Sequence, residues 1–262
     1  MGQRLPDQVA IVTGAGSVGP GWGNGKATAV LFAREGARLF AVDINLAAAE
    51  ETREIIIAEG GQCTAHRADV SQSADVAAMV ERCLATYGRI DILHNNVGIG
   101  TNDCGPTKIT ETIWDEIFAV NLKSVMFTCK HALQVMRQQQ FGSIINISSI
   151  AAVCNIGLVS YKASKAALNA YTHTLATGGA KFGIRANVIM PGLMDTPMAI
   201  EGYVAAGHDR AALIKRRNDS VPLGRQMGTA WDIANAAVFL ASDASAYMTG
   251  HDLVIDGGYT LW

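Results

Sequence analysis

The sequence predicts an α/β protein built on one doubly wound, parallel, seven-stranded sheet with helices on both faces. Short β-rich runs alternate with longer helical patterns from one end of the 262 residues to the other. Alternation of this kind implies parallel strands joined by right-handed crossovers. Most of the short runs are continuously apolar, as in strands covered on both faces. Composition agrees: 49% hydrophobic and 17% charged residues supply a large core and exclude a disordered chain.

The strands are expected at 8–13, 38–42, 62–67, 92–95, 142–147, 185–189 and 252–255. Helices are expected at 25–35, 47–59, 72–87, 113–138, 160–181 and 229–242, several closed by a nearby glycine (Gly36, Gly60, Gly88, Gly142, Gly183) suited to a left-handed stop. No linker or internal repeat interrupts this rhythm, so residues 1–262 form one domain. The exception is 192–218, an interval rich in Met, Gly and charge. A loop that long in a compact domain is usually functional, and a substrate lid is the natural expectation.

Several function classes are disfavoured at this stage. A net charge of −2 with both signs spread along the chain points to no nucleic-acid partner and no acidic membrane surface. The five cysteines form no C-x-x-C pair and suggest free thiols in a reducing compartment. With no signal-like or membrane-length apolar run, a cytoplasmic protein is expected. His94, His131 and His173 have no partners at metal-ligand spacing, so no metal site is expected. Trp262 is expected either to anchor at the surface or to reach a neighbouring subunit.

After the first strand comes TGAGSVGPGWGNGKATA, residues 13–29. Glycines between a first strand and a first helix let the backbone approach a pyrophosphate, whose charge the helix N-terminus favours. This is the phosphate turn of a Rossmann fold, with Gly14, Ser17, Asn24 and Gly25 as candidate binding residues. Asp43 ends the second strand, where a carboxylate accepts from the adenosine ribose hydroxyls and repels a 2′-phosphate. No Arg or Lys lies near Ser17 or directly after Asp43, so NAD is expected rather than NADP. The plainer alternative is a solvated Asp43 that caps the next helix. Asp69, followed by Val70, fits either an adenine contact or an N-cap.

Further residues fall in a telling order: Thr13-Gly14, Asp69, Asn95-Asn96-Val97-Gly98, Asn121, Asn146-Ile147-Ser148-Ser149, Tyr161-x-x-x-Lys165, Pro191-Gly192 and Asp256-Gly257-Gly258. In these motifs the chain resembles the classical short-chain dehydrogenase/reductase family over essentially its full length. The resemblance implies a catalytic set of Asn121, Ser149, Tyr161 and Lys165. It also implies a cofactor site that includes Asn96, Gly98, Tyr161, Lys165, Pro191, Gly192 and Thr196, a small-molecule substrate and a homotetramer. Asn121 is implied to hold a water that relays protons from Lys165.

Two departures stand out. The family's turn is Thr-Gly-x-x-x-Gly-x-Gly, and counting back from Glu35-Gly36-Ala37 places its last glycine at Gly25. Residues 18–22 are then an insertion. The register through Gly19 and Gly21 would load the first helical turn with Gly23 and Gly25, at a cost in propensity. Motif alignment points to Ser149 as the catalytic serine, whereas distance from the tyrosine points to Ser148. A one-residue deletion in the loop that follows reconciles the two and favours Ser149.

Free tyrosine titrates near ~10, too high for proton transfer at neutral pH. Lys165 lies one helical turn on, so its ammonium shares a face with the phenol and is expected to lower that value. Met194, Met198, Ile200 and Tyr203, with Val153 and Cys154 opposite, suggest an apolar pocket. The expected activity is therefore hydride transfer between a medium-sized, fairly apolar secondary alcohol or ketone and NAD. The alternatives are a 3-oxoacyl-thioester reductase, which Asp43 and the mild charge disfavour, and a catalytically idle relative, which the intact catalytic set disfavours. Enoyl reductases of the same fold space their Tyr and Lys more widely.

Overall fold

The computed structural model describes residues 3–154 and 157–261, so the expectation for Trp262 lies outside the described residues. β1 (Val9–Thr13), β2 (Arg38–Asp43), β3 (Gln62–Arg67), β4 (Ile92–Asn95), β5 (Gly142–Ile147), β6 (Ile184–Pro191) and β9 (Asp252–Ile255) form one sheet in the order β3-β2-β1-β4-β5-β6-β9. Every pairing in it is parallel. The strand order reverses between β1 and β4. At that point crossovers leave to opposite faces and open a crevice beyond the strands' C-terminal ends, where such sheets place ligands.

α1 (Asn24–Arg34), α2 (Leu46–Ala58) and α9 (Ala230–Ala241) cover one face. Their Val30, Phe32, Ile56, Ile233 and Leu240 interlock with Leu39 and Ile189 of the sheet. α3 (Ser73–Tyr87), α5 (Ser124–Gln139) and α6 (Val159–Gly179) cover the other, where Met79, Cys83, Met136 and Leu168 meet Ile11 and Ile144. Each such side chain contributes about 1.5–3 kcal/mol when fully buried. The continuous apolar strands are thereby explained: β1, β4 and β5 are buried along their whole length.

The structure departs from the sequence expectation at four places. The helix expected over 113–138 is α4 (Glu111–Phe118) and α5, joined by a π turn at Ala119–Lys123 that carries Asn121. An extra residue in one turn does not disturb the apolar periodicity enough to be seen in sequence. The interval 192–218 is not a bare loop: it holds β7 (Met194–Asp195), α7 (Pro197–Ala205) and most of α8 (Arg210–Asp219). β7 pairs in parallel with β8 (Gly228–Thr229) in a small second sheet. Pro191 is the last residue of β6 rather than the start of a turn. Gly142 opens β5, and Gln140, at φ 55°, takes the left-handed stop of α5. Among the described residues no helix is long and apolar enough to cross a membrane.

Candidate active site

The phosphate turn is built around one contact. A Cβ at Gly25 would stand 1.9 Å from the Gly14 carbonyl oxygen and 2.6 Å from Asn96 Nδ2. Only glycine lets the first turn of α1 sit this close to the β1 loop. That contact supports the register ending at Gly25, with Gly23 as the N-cap and residues 18–22 added before it. Asn96 reinforces the turn: its Nδ2 donates to the Gly14 carbonyl at 3.1 Å and its backbone N–H to Thr13 Oγ1 at 3.2 Å. Ser17 Oγ donates to the Gly19 carbonyl at 2.8 Å. Asn24 Oδ1 is buried without a hydrogen-bond partner. A donor-bearing ligand at the head of α1 would satisfy it, and no acidic side chain in the first turn opposes an anion there.

Asp43, half-buried at the end of β2, accepts from the Gly16 N–H and the Asn45 N–H, each at 3.0 Å. The carboxylate is thus held in place beside the phosphate turn and forms no ion pair among the described residues. Asp69 accepts from both the N–H and the hydroxyl of Ser71, while Val70 is buried in the core.

The four residues of the predicted catalytic set converge where β4, β5 and α6 meet. Tyr161 lies in the first turn of α6, with Ser149 near enough to its phenol to lower the pKa. Ser148 points away: its Oγ donates to the Lys165 carbonyl at 3.1 Å. The pair ambiguous in sequence is therefore separated by direction, as the strand alternation of β5 continues into Ser148 and Ser149. Lys165 is buried, and its Nζ donates to the Ile147 carbonyl at 2.8 Å and lies 5.6 Å from the centre of the Tyr161 ring. Gly98 admits it closely, since a Cβ there would be 3.0 Å from Nζ.

Asn121 is fully buried; its Oδ1 accepts from the Ile99 N–H at 2.7 Å and its Nδ2 donates to the Ile99 carbonyl and to Ser164 Oγ. Ser164 Oγ in turn donates to the Tyr161 carbonyl at 2.8 Å. With its amide engaged in this way, the side chain fixes the loop after β4 against α6.

Asp103 is a participant that sequence reasoning missed. Its carboxylate accepts from the Tyr161 N–H at 2.7 Å and from the Ser160 N–H at 3.3 Å, capping α6 from 58 residues upstream. No local pattern marks such a cap.

Burial dominates the ionisation of the set. Burial raises the Tyr161 pKa, outweighing the Ser149 hydrogen bond that lowers it. Burial alone brings Lys165 down to about 8. The phenol is therefore neutral at neutral pH in this state.

At the end of β6, Gly192 N–H donates to the Ile255 carbonyl at 2.9 Å and Thr196 is the buried N-cap of α7. The expected pocket is redistributed. Met194 joins the main core and Ile200 packs with Leu213 and Met227, whereas Met198, Tyr203 and Val153 are exposed. A cavity of about 350 Å³ lies between the 18–22 insertion and the lid, lined by Pro20, Trp22, Thr196, Ile200 and Trp231. His94, its pKa lowered to about 3 by burial, is a neutral core residue edge-on to Phe32. All five cysteines are free, and no metal-binding cluster exists among the described residues.

Residues 20–260 match the profile of the family described as Enoyl-(Acyl carrier protein) reductase. The 3-oxoacyl-(acyl-carrier-protein) reductase FabG of Thermotoga maritima is 37% identical over 98% of this chain and 100% of its own. The cis-4-hydroxycyclohexanecarboxylate dehydrogenase of Sinomonas cyclohexanicum is 36% identical over 99% of each chain. A crystal structure described as a short-chain dehydrogenase/reductase from Burkholderia xenovorans superposes with a TM-score of 0.95 at 41% identity, covering 99% of each chain.

Proposed function

Because the chain belongs to the classical short-chain dehydrogenase/reductase family, oxidoreductases acting on CH–OH groups, we propose that it is an NAD-dependent dehydrogenase of a medium-sized secondary alcohol, or reductase of the matching ketone. The observation that carries this reading is the convergence of Tyr161, Ser149 and Lys165, with Lys165 Nζ 5.6 Å from the centre of the tyrosine ring. When bound, the nicotinamide supplies hydride acceptance in oxidation and donation in reduction. Gly14, Ser17, Asn24 and Gly25 hold the diphosphate and Asp43 the adenosine ribose. Asp69 and Val70 border the adenine, while Asn96, Gly98, Tyr161 and Lys165 flank the nicotinamide ribose. Pro191, Gly192 and Thr196 hold the carboxamide.

Tyr161 takes the proton from the alcohol in oxidation and returns it in reduction. Ser149 donates to the substrate oxygen, where charge develops during transfer. Lys165 stabilises the phenolate and passes the proton on past Asn121. Two protein groups thus bear on the substrate oxygen, and the Asp103 cap and the Asn121–Ser164 chain keep the tyrosine backbone fixed. Preorganisation of this kind is what proton transfer and charge stabilisation need. A homotetramer follows as the proposed assembly on family grounds.

The relationship to an acyl-carrier-protein reductase favours a second reading, reduction of a 3-oxoacyl thioester with NADPH. Asp43 discriminates. The purified protein is mixed with NAD or NADP and a panel of cyclic, aromatic, aliphatic and polyol alcohols, and absorbance of the reduced nicotinamide is followed. NAD-linked turnover of a cyclic or aliphatic alcohol is the expected result. A preference for NADP, or turnover confined to 3-oxoacyl thioesters, contradicts it.

A further inference from the structure

The lid holds a cation that no carboxylate neutralises. Arg217 lies one helical turn beyond Leu213, the buried residue of α8, so both project from the face turned toward the protein. Leu213 closes a small apolar cluster with Ile200 and Met227, and Arg217 Nε donates to the Met227 sulfur at 3.3 Å. Other cations of this helix are already paired: Arg210 with Glu201 at 2.6 Å and Lys215 with Asp219 at 2.5 Å. Arg216 is exposed. Among the described residues no carboxylate lies within ion-pair distance of Arg217. A half-buried guanidinium with five donors is therefore met by one weak thioether acceptor. Burial without an anion is unfavourable for such a group, and burial lowers its pKa.

The surroundings put this cation at the catalytic end of the sheet. Tyr203 of α7, Tyr259 just after β9 and Asp195 of β7 all lie close enough to act electrostatically on Arg217. Tyr203 acts in the same way on Tyr161. One exposed lid tyrosine is thus in electrostatic reach of both the reacting phenol and the unpaired guanidinium.

We infer that Arg217 receives a carboxylate carried by the substrate at the end remote from the carbon that is oxidised. The planar guanidinium matches a carboxylate in two parallel hydrogen bonds. Asp195 nearby favours a singly charged group over a phosphate. This inference rests on the alcohol dehydrogenase reading and adds the substrate's chemical class to it.

The test compares the unmodified protein with Arg217→Met and Arg217→Lys, each with NAD. The substrates are 4-hydroxycyclohexanecarboxylate and cyclohexanol, which differ only in the charged group. The ratio of kcat/KM for the acid to that for the neutral alcohol is expected to fall about 30-fold in Arg217→Met, mainly through KM, and to recover in part with lysine. Binding of cyclohexanecarboxylate, which has no hydroxyl to react, is measured separately by calorimetry on the NAD-loaded protein. It should weaken by a similar factor in Arg217→Met. An unchanged ratio, or carboxylate binding that is absent or indifferent to Arg217, overturns the inference. Arg217-dependent carboxylate binding without turnover of either alcohol supports the anion site and overturns the dehydrogenase reading instead.

Discussion

The face around Tyr161 and the lid that borders it differ in how their side chains are held. Around Tyr161 the side chains are tied to the protein: Asp103 caps the helix, Ser164 joins Asn121 to the tyrosine carbonyl, and Lys165 reaches the end of β5. This apparatus rests on the main core through Leu168. The lid rests instead on its own cluster of Ile200, Leu213 and Met227, leaves Met198 and Tyr203 exposed and keeps Arg217 unpaired by any carboxylate. A site that moves protons needs fixed distances, whereas a surface that accepts a substrate needs unspent groups and thin packing. Chemistry and selectivity are thus assigned to separate elements of one sheet edge.

Among the tests of this contrast, the largest effect should come from the two adjacent serines. Ser149→Ala is expected to lower kcat by about 10²–10³-fold, the scale for losing one donor to a developing oxyanion. Ser148→Ala removes only the bond to the Lys165 carbonyl, for roughly 1 kcal/mol of stability. Steady-state rates and thermal unfolding of both variants check this. Equal losses of turnover would break the assignment of roles within the pair.

A smaller effect belongs to the lid. Leu213→Ala opens a cavity in its local cluster, worth about 2–5 kcal/mol of local packing. Hydrogen exchange should quicken in α7 and α8 while β1, β4 and β5 stay protected, and KM should rise by roughly tenfold with kcat less affected. Exchange that quickens throughout the sheet would show that the lid is not the separate unit described above.

The smallest effect is on pH dependence. Burial raises Tyr161 and lowers Lys165 to about 8. Oxidation uses the deprotonated phenol and reduction the protonated one, so oxidation should accelerate as pH rises past neutral while reduction holds until the raised phenol titrates. Stability carries the same signature. Between about 8 and the ordinary lysine value of 10.5, an unfolded chain retains a proton on Lys165 that the folded chain has released. The lysine's contribution to stability therefore grows with pH across that window. Lys165→Met should flatten this rise in urea titrations repeated across the range, and an unchanged slope would contradict the burial argument.

Much of this architecture was legible in sequence because it depends on local signals. Continuous apolar strands, Tyr161 and Lys165 one turn apart, and the glycine at position 25 each reflect a constraint that acts over a few residues. What escaped depends on distant parts of the chain. Asp103 caps a helix that begins far downstream, and Arg217 is distinguished from Arg216 only by the face of α8 that packs inward. The lid helices occupy a middle ground. Pro197 directly after Thr196, and Asp209 accepting from the Ala212 N–H, are start signals present in the sequence. A weak apolar periodicity hid them behind the appearance of a loop.

The central claim is that Tyr161 moves the proton in an NAD-linked oxidation. The most direct test follows reduced-nicotinamide absorbance for the protein and its Tyr161→Phe variant, with cofactor binding measured in parallel by fluorescence. The account predicts a loss of turnover of about 10³-fold or more with NADH binding largely kept; turnover that survives the loss of the phenol would contradict it.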